Sequence, residues 1–151
     1  MIPSSVDRVP LHTSEASNEM IERQTDENVA RFRNATPEAI TRRLRELDEE
    51  WDIERTLEAN AATASLVGLT LGFTVSRKFL LFPAAVAGFL LQHAIQGWCP
   101  PLPIFRRLGY RTQTEIERER MMLKALRGDF HELVRSSTPL QTSDLRKAVD
   151  E

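Results

Sequence analysis

The side chains with most chemical scope in this chain are one histidine and the single cysteine, His93 and Cys99. An imidazole and a thiol this close in sequence suggest a metal or redox site. A structural zinc site takes four ligands, so the pair supplies half of one, and a dimer would have to supply the rest. A reactive cysteine needs help to reach its thiolate form, and no histidine or acid stands directly beside Cys99. Free cysteine also packs as a small apolar residue. Asp48-Glu49-Glu50-Trp51-Asp52-Ile53-Glu54 offers several carboxylates, but their spacing fits a solvated helix face with pairs of the Arg45–Glu49 type. Phosphate-loop, dinucleotide, zinc-protease and nucleophile-elbow motifs are all absent from the sequence. The sequence therefore predicts a non-enzymatic protein without catalytic residues, cofactor or metal. Cys99 remains the candidate reactive thiol of an alternative, a membrane-associated redox or sulfur-handling accessory protein.

The elements that carry His93 and Cys99 are more legible than their chemistry. Residues 59–76 contain no charged side chain, and residues 79–98 contain no Asp, Glu, Lys or Arg. Only Arg77 and Lys78 separate them. As helices these stretches are roughly 27–30 Å long at 1.5 Å per residue, which matches the roughly 30 Å hydrocarbon core of a bilayer. The mean hydropathy of the whole chain is slightly negative because the ends are rich in Arg and Glu. Core helices of soluble bundles are normally apolar on one face only, and these stretches lack a charged face. The expected fold class is therefore all-α: a membrane helical hairpin over 59–98, flanked by amphipathic cytoplasmic helices, with the lipid bilayer as partner. A soluble helical bundle is the less favoured reading. Arg42, Arg43, Arg45 and Arg55 precede the hairpin, and Arg106, Arg107, Arg111 and Arg118 follow it. Against two cations in the turn, this bias places both termini in the cytoplasm. Trp98, Arg77 and Lys78 are the expected interface anchors.

Ala64, Gly68, Gly72 and Ser76 recur every fourth residue, as do Ala84 and Gly88 on the second stretch. Small residues let helix backbones approach closely in lipid. That contact could join two copies in a homodimer, or pack the hairpin against itself. His93 lies toward the cytoplasmic end of its stretch, where an intramembrane polar residue faces protein or water.

Outside the hairpin, residues 1–17 read as a disordered tail, and 18–58 as an amphipathic helical segment. Thr36 and Pro37 mark a helix start, and Ile40, Leu44, Leu47 and Trp51 form its apolar stripe. Without Pro or Gly between Glu38 and Val67, the helix is expected to run on into the first span. The prolines at 100, 101 and 103 predict an extended interfacial segment over 99–113. Thr114 and Glu117 suggest a capping box opening a C-terminal amphipathic helix over 114–134, with Gly128 as its stop and a disordered tail over 135–151. The two amphipathic helices are expected to pack on each other, or to bind an unidentified cytoplasmic or membrane partner. A net charge of −2 argues against nucleic acid. One cysteine excludes an intrachain disulfide. The first residues have no apolar core of a signal peptide.

Gly97-Trp98-Cys99-Pro100, followed by Arg107-Leu108-Gly109-Tyr110-Arg111-Thr112, resembles the Gly-x-Cys-Pro and Leu-Gly-x-x-Thr ending of a small bacterial inner-membrane domain. That domain is the YgaP-like transmembrane family, a two-helix hairpin found alone and attached to rhodaneses. The resemblance covers roughly residues 55–112. Where that family opens its hairpin with Asn-x-Gly and Asp-Arg, this chain has only Arg55 and Asn60. No rhodanese cysteine loop is present, so sulfurtransferase activity does not carry over. The resemblance implies a hairpin in the bacterial inner membrane that associates with itself as a scaffold.

Overall fold

Asp52 stops the approach to one helix and starts another. In the computed structural model, which describes Ser4 and residues 6–131, helix α2 spans Pro37–Glu49 and α3 spans Ile53–Thr74. Thr36 caps α2, its Oγ1 accepting the Ala39 N–H at 3.4 Å. The continuous helix expected from Glu38 to Val67 is broken at residues 50–52. The Asp52 carboxylate accepts the Arg55 N–H at 2.7 Å, and the Ile53 N–H donates to the Arg111 carbonyl at 2.8 Å. A short polar side chain thus competes with helical hydrogen bonding, and a distant strand of chain takes up the freed donor. Ordered before these are α1, Glu15–Arg31, and a 3-10 turn, Pro10–His12. All described elements are helical.

The chain forms two units, Met1–Glu22 with Trp51–Glu115, and Arg23–Glu50 with Ile116–Glu151. In the first unit, α3 folds back through a 3-10 turn, Arg77–Leu80, onto α4, Leu81–Gln96. Gly68 and Gly72 are buried in this crossing. A Cβ at Gly68 would lie 2.7 Å from Pro83 Cδ, and one at Gly72 would lie 2.3 Å from Leu80 Cδ2. These glycines therefore serve the hairpin itself. Ser76, Ala84 and Gly88 are exposed, and a Cβ at Gly88 would meet nothing within 4 Å. Arg77 and Lys78 are also exposed.

One helical stretch among the described residues, Arg77–Gln96, is long and apolar enough to cross a membrane, and little of it is buried. Helix α3 is long enough at about 33 Å, and its second half exposes Leu66, Val67 and Phe73. Its first half carries Glu54, Arg55, Glu58 and Asn60, which keeps it outside that description.

At the open end of the hairpin, Val9, Ile53, Leu57, Cys99 and Leu102 make a small core, with Trp98, Phe105 and Tyr110 packed against it. Val9 is 2% exposed, so residues 6–17 depart from the disordered tail expected over 1–17. The anchoring contact joins Val9 to residues far along the chain, which a local reading of a polar stretch does not reveal. Nor is 99–113 extended throughout. Leu102–Arg107 forms helix α5, with Pro101 just before it and Pro103 in its first turn, where a missing N–H costs no hydrogen bond. Arg106, expected to be a flanking surface cation, is wholly buried. It donates to both Glu115 oxygens at 2.7 and 2.8 Å, to the Tyr110 carbonyl, to Asn18 Oδ1 and to Thr13 Oγ1.

Helix α6 spans Gln113–Arg127. Its capping box is Thr112 with Glu115, two residues before the expected Thr114 and Glu117. The Thr112 N–H donates to Glu115 Oε2 at 2.8 Å, and the Glu115 N–H donates to Thr112 Oγ1 at 3.3 Å. In the second unit, Ile40, Leu44 and Leu47 pack on Ile116 and Leu123, the pairing expected from the two stripes. Arg43 donates to the fully buried Glu119 at 2.9 Å. Trp51 is not part of this cluster; it is 47% exposed beneath the Arg55 guanidinium. The end of the expected C-terminal helix, 132–134, and the expected tail, 135–151, lie outside the described residues.

Candidate thiol site

The hairpin brings together three residues that are distant in sequence. Glu54 stands in the first turn of α3, His93 in the last turn of α4, and Cys99 just beyond it. Because α3 and α4 run back along each other, the start of one meets the end of the other. Gly97, with φ of 82°, ends α4 and returns the chain so that Cys99 enters the small core. A left-handed residue is needed at this corner, and glycine adopts it without steric cost. A Cβ there would also lie 2.3 Å from the Arg8 carbonyl oxygen.

His93 Nε2 lies 2.7 Å from Glu54 Oε2. Glu54 is held below the ordinary carboxylate range, first by the hydrogen bond from His93, which outweighs the opposing cost of burial, and further by Arg8. An ionised Glu54 only accepts, so Nε2 carries the proton. In the neutral ring Nδ1 is then the basic nitrogen. Nδ1 is buried with no hydrogen-bond partner, in a residue only 3% exposed. The Cys99 side chain interacts with the His93 ring; with Nε2 engaged by Glu54, Nδ1 is the ring nitrogen left for a proton transfer. The arrangement can accept a proton from Cys99 and stabilise the charge that follows.

Arg8 completes the cluster. Its Nη2 donates to Glu54 Oε1 at 2.9 Å and its Nη1 to the Ala94 carbonyl at 2.8 Å. It thus neutralises the carboxylate and satisfies a carbonyl in the last turn of α4. Among the described residues, no group of three or more His, Cys, Asp or Glu is arranged to hold a metal ion.

Cys99 also lines an apolar cavity of about 330 Å³ between α3 and α4, with Leu57, Ala61, Ala64, Phe89 and Leu90 among its walls. Ala64, read from sequence as a helix-packing residue, is part of that wall. Trp98 is half-buried against the small core.

Sequence reasoning selected His93 and Cys99 but missed Glu54 and Arg8. Glu54 was absorbed into an acidic run, and Arg8 into a polar tail. The only sequence signal for Glu54 was its place one turn before an uncharged span, opposite a histidine at the end of the next. Compared with protein-family models, curated proteins and solved structures, the chain matches none.

Proposed function

We propose that this protein is a two-span inner-membrane hairpin with both termini in the cytoplasm. On this reading it carries a nucleophilic thiol, Cys99, at the cytoplasmic end of its spans. The observation that carries the thiol reading is the meeting of Glu54, His93 and Cys99 at the base of the hairpin. It favours the sulfur-handling or redox class over a scaffold. The stripes of α2 and α6 that a scaffold would offer to partners are already buried against each other.

The large apolar side chains exposed along α4 and the second half of α3 support the membrane reading. The flanking cations support the orientation. Of the eight counted outside the turn, Arg106 and Arg111 are buried, which leaves six against Arg77 and Lys78. The YgaP-like resemblance supports the same location. Integral placement is tested by alkaline carbonate extraction and by reporter fusions at each end. Release from the membrane, or a periplasmic terminus, would contradict it.

The thiol reading is tested by alkylation of Cys99 with N-ethylmaleimide in native membranes at neutral pH. His93→Gln removes the base, and Glu54→Gln removes its orienting charge. General-base assistance contributes typically 10²–10⁴-fold, so His93→Gln should slow the reaction by about a hundredfold and Glu54→Gln by less. Equal rates in wild type and His93→Gln would overturn it.

A further inference from the structure

The cavity beside Cys99 suggests which substrate the thiol takes. Its walls come from the first half of α3, from α4 and from the Cys99-Pro100-Pro101 segment. Apart from Asn60 and the cysteine, those walls are hydrocarbon. Ala61 and Ala64 are small, and they open the space between two helices that close up again at Gly68 and Gly72. Cys99 is only 5% exposed, so a hydrophilic thiol or peptide would have to shed its water to reach it. An alkyl chain resting against the hairpin would not. The volume falls at the lower end of small-molecule pockets, roughly 300–1,000 Å³.

We propose that Cys99 is an acyl acceptor that takes a long-chain acyl group from an acyl thioester, the chain lying in the cavity between α3 and α4. The inference rests on the nucleophilic-thiol reading above and adds its substrate class. The Cys99 sulfur attacks the thioester carbonyl carbon. Its proton passes to His93 Nδ1, while Glu54 holds the ring by Nε2. A new sulfur–carbon bond forms, the bond from the carbonyl carbon to the departing sulfur breaks, and that thiolate takes the proton from His93. One thioester replaces another, and one thiol replaces another. No oxidant or reductant is consumed.

The full-length protein in phospholipid vesicles is incubated with palmitoyl-coenzyme A or acetyl-coenzyme A and followed by intact mass. The expected result is one palmitoyl adduct at Cys99, removed by hydroxylamine and absent in Cys99→Ser. Palmitoyl transfer should outrun acetyl transfer severalfold. Ala64→Phe, and independently Ala61→Leu, should reduce that preference because each fills the space for the chain. Gly88→Ala, on the open face of α4, should leave it unchanged. His93→Gln should slow acylation by about the hundredfold expected of a lost base. No hydroxylamine-labile adduct, or equal rates for both donors, would overturn the acyl inference. Maleimide alkylation of the same samples separates the two readings. Fast alkylation that depends on His93, without acylation, retains the nucleophilic thiol and removes the acyl substrate. Alkylation indifferent to His93→Gln removes both.

Discussion

Replacing Arg106 by methionine should destabilise the first unit more than any other single change of similar volume. The guanidinium is wholly buried and makes two hydrogen bonds to Glu115 and one each to Thr13, Asn18 and the Tyr110 carbonyl. Methionine fills much of the space but leaves the Glu115 carboxylate, whose side chain is 18% exposed, without its cation. Removing one partner of a buried ion pair costs about 3–5 kcal/mol. For chains of this size each kcal/mol lowers the melting temperature by roughly 2–4 °C, so the fall should be on the order of 10 °C. Glu115 adds a pH signature. Burial pushes its carboxyl up, but the hydrogen bonds from Arg106 and the Thr112 backbone overcome this and leave it below the ordinary value of 4.5. Its stabilising contribution is therefore complete above that pH and lost as pH falls through the lower folded value. The gap between wild type and Arg106→Met should accordingly narrow in acid. The assay is thermal unfolding in detergent micelles by circular dichroism, from neutral pH downward. A shift below about 2 °C at neutral pH, less than about 1 kcal/mol, would refute the assignment of Arg106 as the link between α1, α5 and α6.

Three further changes test separate parts of the structure. Leu44→Ala should cost about 2–5 kcal/mol and make α6 as well as α2 more sensitive to protease, because Leu44 packs in one cluster with Ile116 and Leu123. Gly97→Ala should destabilise the fold by more than the roughly 1–2 kcal/mol of a left-handed alanine, since its Cβ would also meet the Arg8 carbonyl; protease cutting near Arg8 reads the effect. Gly72→Ile should reduce the steady-state level of inserted protein while Gly88→Ile does not. If crosslinked dimer fell instead in Gly72→Ile with insertion intact, the contact would lie between copies and not within the hairpin.

The fold was legible wherever a rule acts over a few residues. The Thr36–Pro37 start, the Ile40–Leu44–Leu47 stripe and the Gly128 stop, with φ of 94°, needed only local spacing. Boundaries were lost where side chains compete with helical hydrogen bonds. Asp52 broke a helix that no proline or glycine interrupts, and Thr112 took the capping role expected of Thr114. The site was half legible. His93 and Cys99 stood out by type, but Glu54 lies 39 residues before His93 and Arg8 lies 46 before Glu54. The turn at Arg77–Leu80 and the return at Gly97 bring His93 and Cys99 back to Glu54, and the docking of Val9 brings Arg8. Local sequence gives the chemistry of such residues but not their neighbours. The same limit made Arg106 look like one more flanking cation, although each of its three side-chain nitrogens donates a hydrogen bond.

On the thiol reading, His93, oriented by Glu54, sets the chemistry of Cys99. The most direct test is the rate of Cys99 alkylation at neutral pH in wild type and His93→Gln, measured in the same membranes. The thiolate is the reactive form, and general-base assistance is worth roughly 10²–10⁴-fold, so wild type should react about a hundredfold faster. Coincident rates for the two proteins would contradict that reading, leaving Cys99 as a buried packing residue of the hairpin base.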